Sequence, residues 1–167
     1  EKNTIFLTAR GVSAHGSRPS LGLNAISLLM DFLGQLENED LLCSQSCDII
    51  DFYNDKLGYF FDGSKLGIGF SDEPSGKLSL NIGLIDWNEG KVSYTIDIRY
   101  PVTVDFQDVC DGLLESVVPN EYRVQNLNHM KPLFKPVTDP LIETLMAAYK
   151  EFTGDLVGKP IVIGGGT

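Results

Sequence analysis

Cysteine is scarce here, and its three copies are an odd number, so no disulfide framework supports this chain. No apolar run approaches the roughly 20 residues that a bilayer-spanning helix needs. Basic residues are also few: 13 Lys and Arg stand against 23 Asp and Glu, a formal net charge of −10. Between Arg18 and Lys56 there is no basic residue at all, while seven acids occur. A surface of that sign repels phosphate backbones, which argues against nucleic-acid and anionic-membrane partners. Histidine occurs twice, at His15 and His129, and no cluster of His, Cys, Asp and Glu has metal-ligand spacing. A complete metal site within these residues is therefore not expected. A Gly-x-Ser-x-Gly elbow and a Cys with a matching His loop are missing too, so the chain is not expected to run hydrolysis or redox chemistry alone. Cys43 and Cys47, four apart, would share a helix face, and with Cys110 they read as structural thiols in a reducing compartment, the cytosol.

What is present is an ordinary folding composition, 43% hydrophobic and 22% charged over 167 residues. Residues 4–10, β-branched and aromatic, predict a strand, and a Gly-, Ser- and Pro-rich loop follows through Gly22. Ala25, Leu28, Leu29, Phe32 and Leu36 recur at helical spacing and predict a helix over 23–36. Ile49, Ile50, Tyr53 and Leu57 suggest a second, short one, and 62–76 reads as a loop. Leu78, Leu80, Ile82 and Leu84, then Val92, Tyr94, Ile96, Ile98 and Tyr100, alternate with polar residues, which predicts a hairpin turning at 86–90. Phe106, Val109, Leu113, Leu114 and Val117 predict another helix, and 122–127 a last strand. The order is that of a ferredoxin-like split βαβ domain of the α+β class: a four-stranded antiparallel sheet with helices on one face.

Beyond a Pro- and Lys-rich stretch at 131–136 the character changes. Asp139-Pro140 opens a helix with Leu141, Leu145, Ala148 and Phe152 as its expected buried stripe, and Gly154 closes it. Residues 160–163 then read as a short strand running into Gly164, Gly165 and Gly166. A start without Met and a stop inside a glycine turn are read as the marks of a fragment, whose exposed apolar surface near 141–163 favours self-association.

Three places could carry chemistry. His15 lies in a polar loop among small residues, open to a partner or ligand, and can equally be an exposed histidine of no consequence. Arg99 lies beside Asp97 on the polar face of its strand, where it fits a cross-strand ion pair or a planar fork that holds a carboxylate. The turn Gly164–Gly166 could offer backbone N–H groups to an anion. His129, near the change of character, has no partner visible in sequence and reads as structural.

Gly11-Val-Ser-Ala-His-Gly-Ser-Arg-Pro-Ser-Leu-Gly-Leu-Asn-Ala25 resembles the lid-domain signature of the dinuclear-zinc aminoacylase, carboxypeptidase and dipeptidase family. Asp97-Ile-Arg-Tyr-Pro101 is similar to its second lid motif, and Ile163-Gly-Gly-Gly-Thr167 to the dipeptidase V branch. The resemblance implies a lid over residues 1–128, and over 129–167 a return into a catalytic domain. It implies a parent enzyme that hydrolyses dipeptides with two zinc ions, whose ligands lie outside this fragment; none would be bound here. His15 would stabilise the oxyanion, Arg99 would clamp the substrate's terminal carboxylate, and Gly164, Gly165 and Gly166 would contact the same group. The partners implied are a dipeptide and the remainder of the polypeptide. A sister deacylase or desuccinylase would share His15 and Arg99, while a stand-alone ferredoxin-like binding or dimerisation module would need neither.

Overall fold

The computed structural model describes residues 5–37, 42–88, 90–125 and 128–162. Helix α1 runs over Ala25–Glu37 and α2 over Ser44–Phe52, the latter continued by a π-turn at Tyr53–Leu57. A small ladder, β1 (Ser71–Asp72) with β2 (Gly76–Lys77), precedes the main hairpin of β3 (Ser79–Asn88) and β4 (Lys91–Arg99). Helices α3 (Phe106–Val117) and α4 (Pro140–Thr153) complete the order. This is an α+β arrangement with antiparallel pairing and a core on one side of the hairpin.

That core takes Leu80 and Ile82 from the hairpin and Leu78 just before it, Ile49, Ile50, Phe52, Tyr53 and Leu57 from α2 and its π-turn, Met30 from α1 and Val109 from α3. Full burial of each aliphatic side chain stabilises the fold by about 1.5–3 kcal/mol. Period-two alternation breaks in β3, where an irregularity lies between Ile82 and Leu84. The extra residue, Gly83, turns Leu84 outward to 66% exposure and brings Ile85 and Trp87 inward instead. In α1 the buried face is centred on Ser27 and Met30 rather than on the predicted stripe, and Phe32 is exposed. Apolar residues cover a broad arc of α1, wider than the face that is buried, so their spacing did not fix its rotation. Three specific bonds do, from Ser27 to Tyr53 and Gly58 and from Asn54 to the Met30 carbonyl.

Of the four predicted strands, the central two are paired. Residues 5–10 run without a ladder, with Ile5 and Phe6 more than four-fifths exposed. Residues 122–125 do likewise, and Tyr122 is held by ring stacking on Phe52 at 4.0 Å instead. β-branched sequence favours an extended backbone, but a strand forms only where a neighbour supplies hydrogen bonds. Residues 160–162 show no ladder either, and Ile163 lies outside the described residues.

Helix α4 begins and ends where predicted. The Asp139 carboxylate accepts from the Leu141 N–H at 2.9 Å, and Gly154 adopts φ 71° at the C-cap. Its stripe is a different matter. Leu141, Leu145, Ala148 and Phe152, expected inside, are exposed, and no residue of α4 is buried. The periodicity reported an amphipathic helix correctly, but amphipathicity does not supply the surface that covers it.

Candidate functional site

The loop between residues 10 and 25 is held at both ends. Val12 and Leu23 exchange two backbone hydrogen bonds of 2.9 Å each. A Cβ at Gly22 would collide with the Val12 carbonyl oxygen, so glycine is needed for the two arms to approach. Asn24 then ties the loop to the sheet and starts the helix. Its amide donates to the Ile82 carbonyl at 2.8 Å, and its side-chain oxygen caps the Ile26 N–H at 2.8 Å.

Within this frame His15 opens a tight turn, closed by the Arg18 N–H donating to the His15 carbonyl at 2.8 Å. Its ring folds back over that turn. Nδ1 lies 2.8 Å from the Ser17 hydroxyl and accepts from the Ser17 backbone N–H at 3.2 Å. The edge bearing Nε2 belongs to an exposed residue.

Arg99 ends β4 on the face opposite the core. Both Nε and one terminal nitrogen donate to the same Asp97 oxygen, at 3.3 and 2.9 Å. The ion pair is thus made along the strand, two residues apart, and not across it. Partly exposed, such a pair adds little stability, but it fixes the direction of the guanidinium. Ser79 and Asn81 of β3 stand opposite Arg99 and Asp97 in the register, completing a polar patch.

The loop and the patch meet at Gly16. A Cβ there would stand 3.1 Å from the Asp97 carboxylate, 3.8 Å from the Arg99 guanidinium and 3.9 Å from the Asn81 amide. His15 and Arg99, 84 positions apart in sequence by their numbers, are therefore brought to one polar surface of the hairpin. That surface offers an imidazole, a cation and serine hydroxyls. The third predicted element, Gly164–Gly166, lies outside the described residues.

Two partnerships were not read from the sequence. One is Ser17, whose only signal was the His-Gly-Ser succession. The other belongs to His129, whose Nε2 is 2.8 Å from the Tyr100 hydroxyl and whose ring stacks on Phe106 at 3.7 Å. His129 thereby fastens the segment after the domain to the end of β4 and the start of α3. Among the described residues there is no group of three or more His, Cys, Asp or Glu able to hold a metal ion. Nor, among them, is any helix long and apolar enough to cross a membrane.

Comparison with known proteins bears on the same residues. A family model described as the peptidase dimerisation domain matches residues 3–121. The "Putative dipeptidase" of Staphylococcus epidermidis is 32% identical over 168 residues, which cover 100% of this chain and 35% of that protein. Proteins of the same description from Staphylococcus haemolyticus and Staphylococcus aureus are each 30% identical over 100% of this chain and 35% of theirs. The chain thus spans about a third of the length of the curated relatives it matches.

Proposed function

The chain belongs to the peptidase dimerisation domain family, and from that premise we propose that it is the lid portion of a dipeptide-hydrolysing enzyme. One observation carries this reading: the His15 loop and the Asp97–Arg99 pair share one polar surface, with Gly16 packed between them.

In this proposal Arg99 binds the free carboxylate of the dipeptide. Its planar fork matches a carboxylate, and a substrate without one at that place leaves the guanidinium poorly paired. Asp97 holds the fork until the substrate carboxylate arrives. His15 donates to the carbonyl oxygen as it gains negative charge when the peptide bond is attacked by water. A donor so placed contributes about 2.7–4 kcal/mol, in line with other oxyanion donors. The N–H groups of Gly164, Gly165 and Gly166 contact the same substrate carboxylate.

The described residues include no group of three or more His, Cys, Asp or Glu that could hold a metal ion. The two zinc ions of such an enzyme are assigned to ligands in the remainder of the polypeptide. Residues 1–128 form the lid and 129–167 re-enter the catalytic domain. This division is supported by the end of the family match at 121 and by the uncovered apolar stripe of α4. We place the enzyme in the cytosol, on the strength of a cysteine count that suits no disulfide framework.

The test is a substrate panel with the full-length polypeptide: dipeptides, their C-terminal amides, longer peptides and N-acyl amino acids. Dipeptides should be preferred, and Arg99→Ala should lower kcat/KM for them by about 10- to 100-fold, the worth of a charge-assisted carboxylate contact. Amides should lose as much in the wild type and little further in the variant. Preference for N-acyl or N-succinyl amino acids would move the assignment to the sister deacylase, and no hydrolysis at all would favour a binding or dimerisation module.

A further inference from the structure

A histidine can face a substrate oxygen either as a donor or as a lone pair, and only the donor stabilises an oxyanion. The tautomer is therefore a functional variable, set by what the far ring nitrogen touches. At His15 that nitrogen is Nδ1, and it has two contacts, both from Ser17. The hydroxyl, at 2.8 Å, is ambiguous, because it can donate or accept. The backbone N–H, at 3.2 Å, is not: it can only donate, so Nδ1 must present its lone pair. With Nδ1 bare, the hydroxyl also donates, and the neutral ring carries its proton on Nε2.

We propose that Ser17 is a positioning residue that holds His15 in the Nε2–H form, turning a donor and not a lone pair toward the bound substrate. This deepens the proposed function and rests on it for its catalytic meaning. The arrangement is local and economical. The turn closed by Arg18 brings the residue two positions on beneath the ring, so loop and tautomer are fixed by the same four residues. Asp97 could not do this work, since a carboxylate accepting from Nδ1 would select the opposite tautomer.

The test uses the full-length polypeptide with 15N-labelled histidine, its His15 signals identified by their loss in His15→Ala. At alkaline pH the wild type should show an unprotonated Nδ1 and a protonated Nε2. Ser17→Ala keeps the backbone N–H and removes only the shorter, 2.8 Å hydroxyl contact, so it should show a measurable Nδ1-protonated share beside the Nε2–H form, and Ser17→Thr should restore the wild-type pattern. In dipeptide hydrolysis Ser17→Ala should lower kcat by about 2- to 10-fold, the worth of one hydrogen bond, with KM nearly unchanged and with rescue by threonine. A wild-type ring protonated on Nδ1, or identical ring signals in wild type and Ser17→Ala, would overturn the proposal. If His15→Ala leaves hydrolysis intact, the oxyanion role falls, and the ring spectra alone then decide the role of Ser17.

Discussion

Two short polar side chains organise most of what is specific here, one in the core and one at the site. Ser27 is 1% exposed and donates to the Gly58 carbonyl at 2.6 Å, so its oxygen receives the Tyr53 hydroxyl at 2.9 Å. Burial pushes the Tyr53 phenol up to about 12. Ser27→Ala strands both a buried hydroxyl and a buried carbonyl, and should cost about 1–3 kcal/mol in urea unfolding. A change of only a few tenths would mean that water replaces the serine. Ser27 did not announce itself in the sequence, where a serine inside a helix is unremarkable, and Tyr53 was read only as part of the apolar stripe of its helix. His15 and Arg99 stood out in the sequence by their polar settings, and their proposed roles came only from the family resemblance. Ser17 did not stand out, because its role exists only once the turn has folded.

At the scale of elements, the hairpin, α3 and α4 follow from periodicity and capping, whereas the outer strands and the facing of α1 do not. The difference is physical. Asp139 and Gly154 act on their own helix ends, but a ladder for residues 5–10 depends on a neighbour that residues 5–10 do not contain. The junction after β4 shows a local rule with a long reach. Asp72 accepts from the backbone and hydroxyl of Ser75, from Gly76, and from the backbone and hydroxyl of Thr103, joining the β1–β2 turn to the chain 31 residues on. Burial alone would raise this carboxyl, but the donors from Ser75 and Thr103 outweigh it and bring it from 3.8 down to about 2. Because the folded value lies below the ordinary one, its stabilisation is fully present above about pH 4 and disappears as the pH falls through about 2. Asp72→Asn should therefore flatten the fall in unfolding free energy across that interval. An unchanged acid limb would show that the network carries no linkage.

For the whole molecule, the informative surface is the one left apolar. Phe152, Leu156, Val157 and Ile161 are each more than 70% exposed. Apolar surface of this kind, at the end of a well-capped helix and on the segment after it, belongs against a partner surface. In the proposed reading this surface packs on the remainder of the polypeptide, while His129 ties the segment before α4 to Tyr100 and Phe106. The same proposal makes the hairpin's polar face, with His15 and Arg99, the lid's contribution to the site. The most direct test compares dipeptide hydrolysis by the full-length zinc-loaded enzyme with that of its His15→Ala variant, metal content being measured in both. A fall in kcat of about a hundredfold or more at equal metal content is expected for the loss of an oxyanion donor. A variant that hydrolyses dipeptides at the wild-type rate would contradict it.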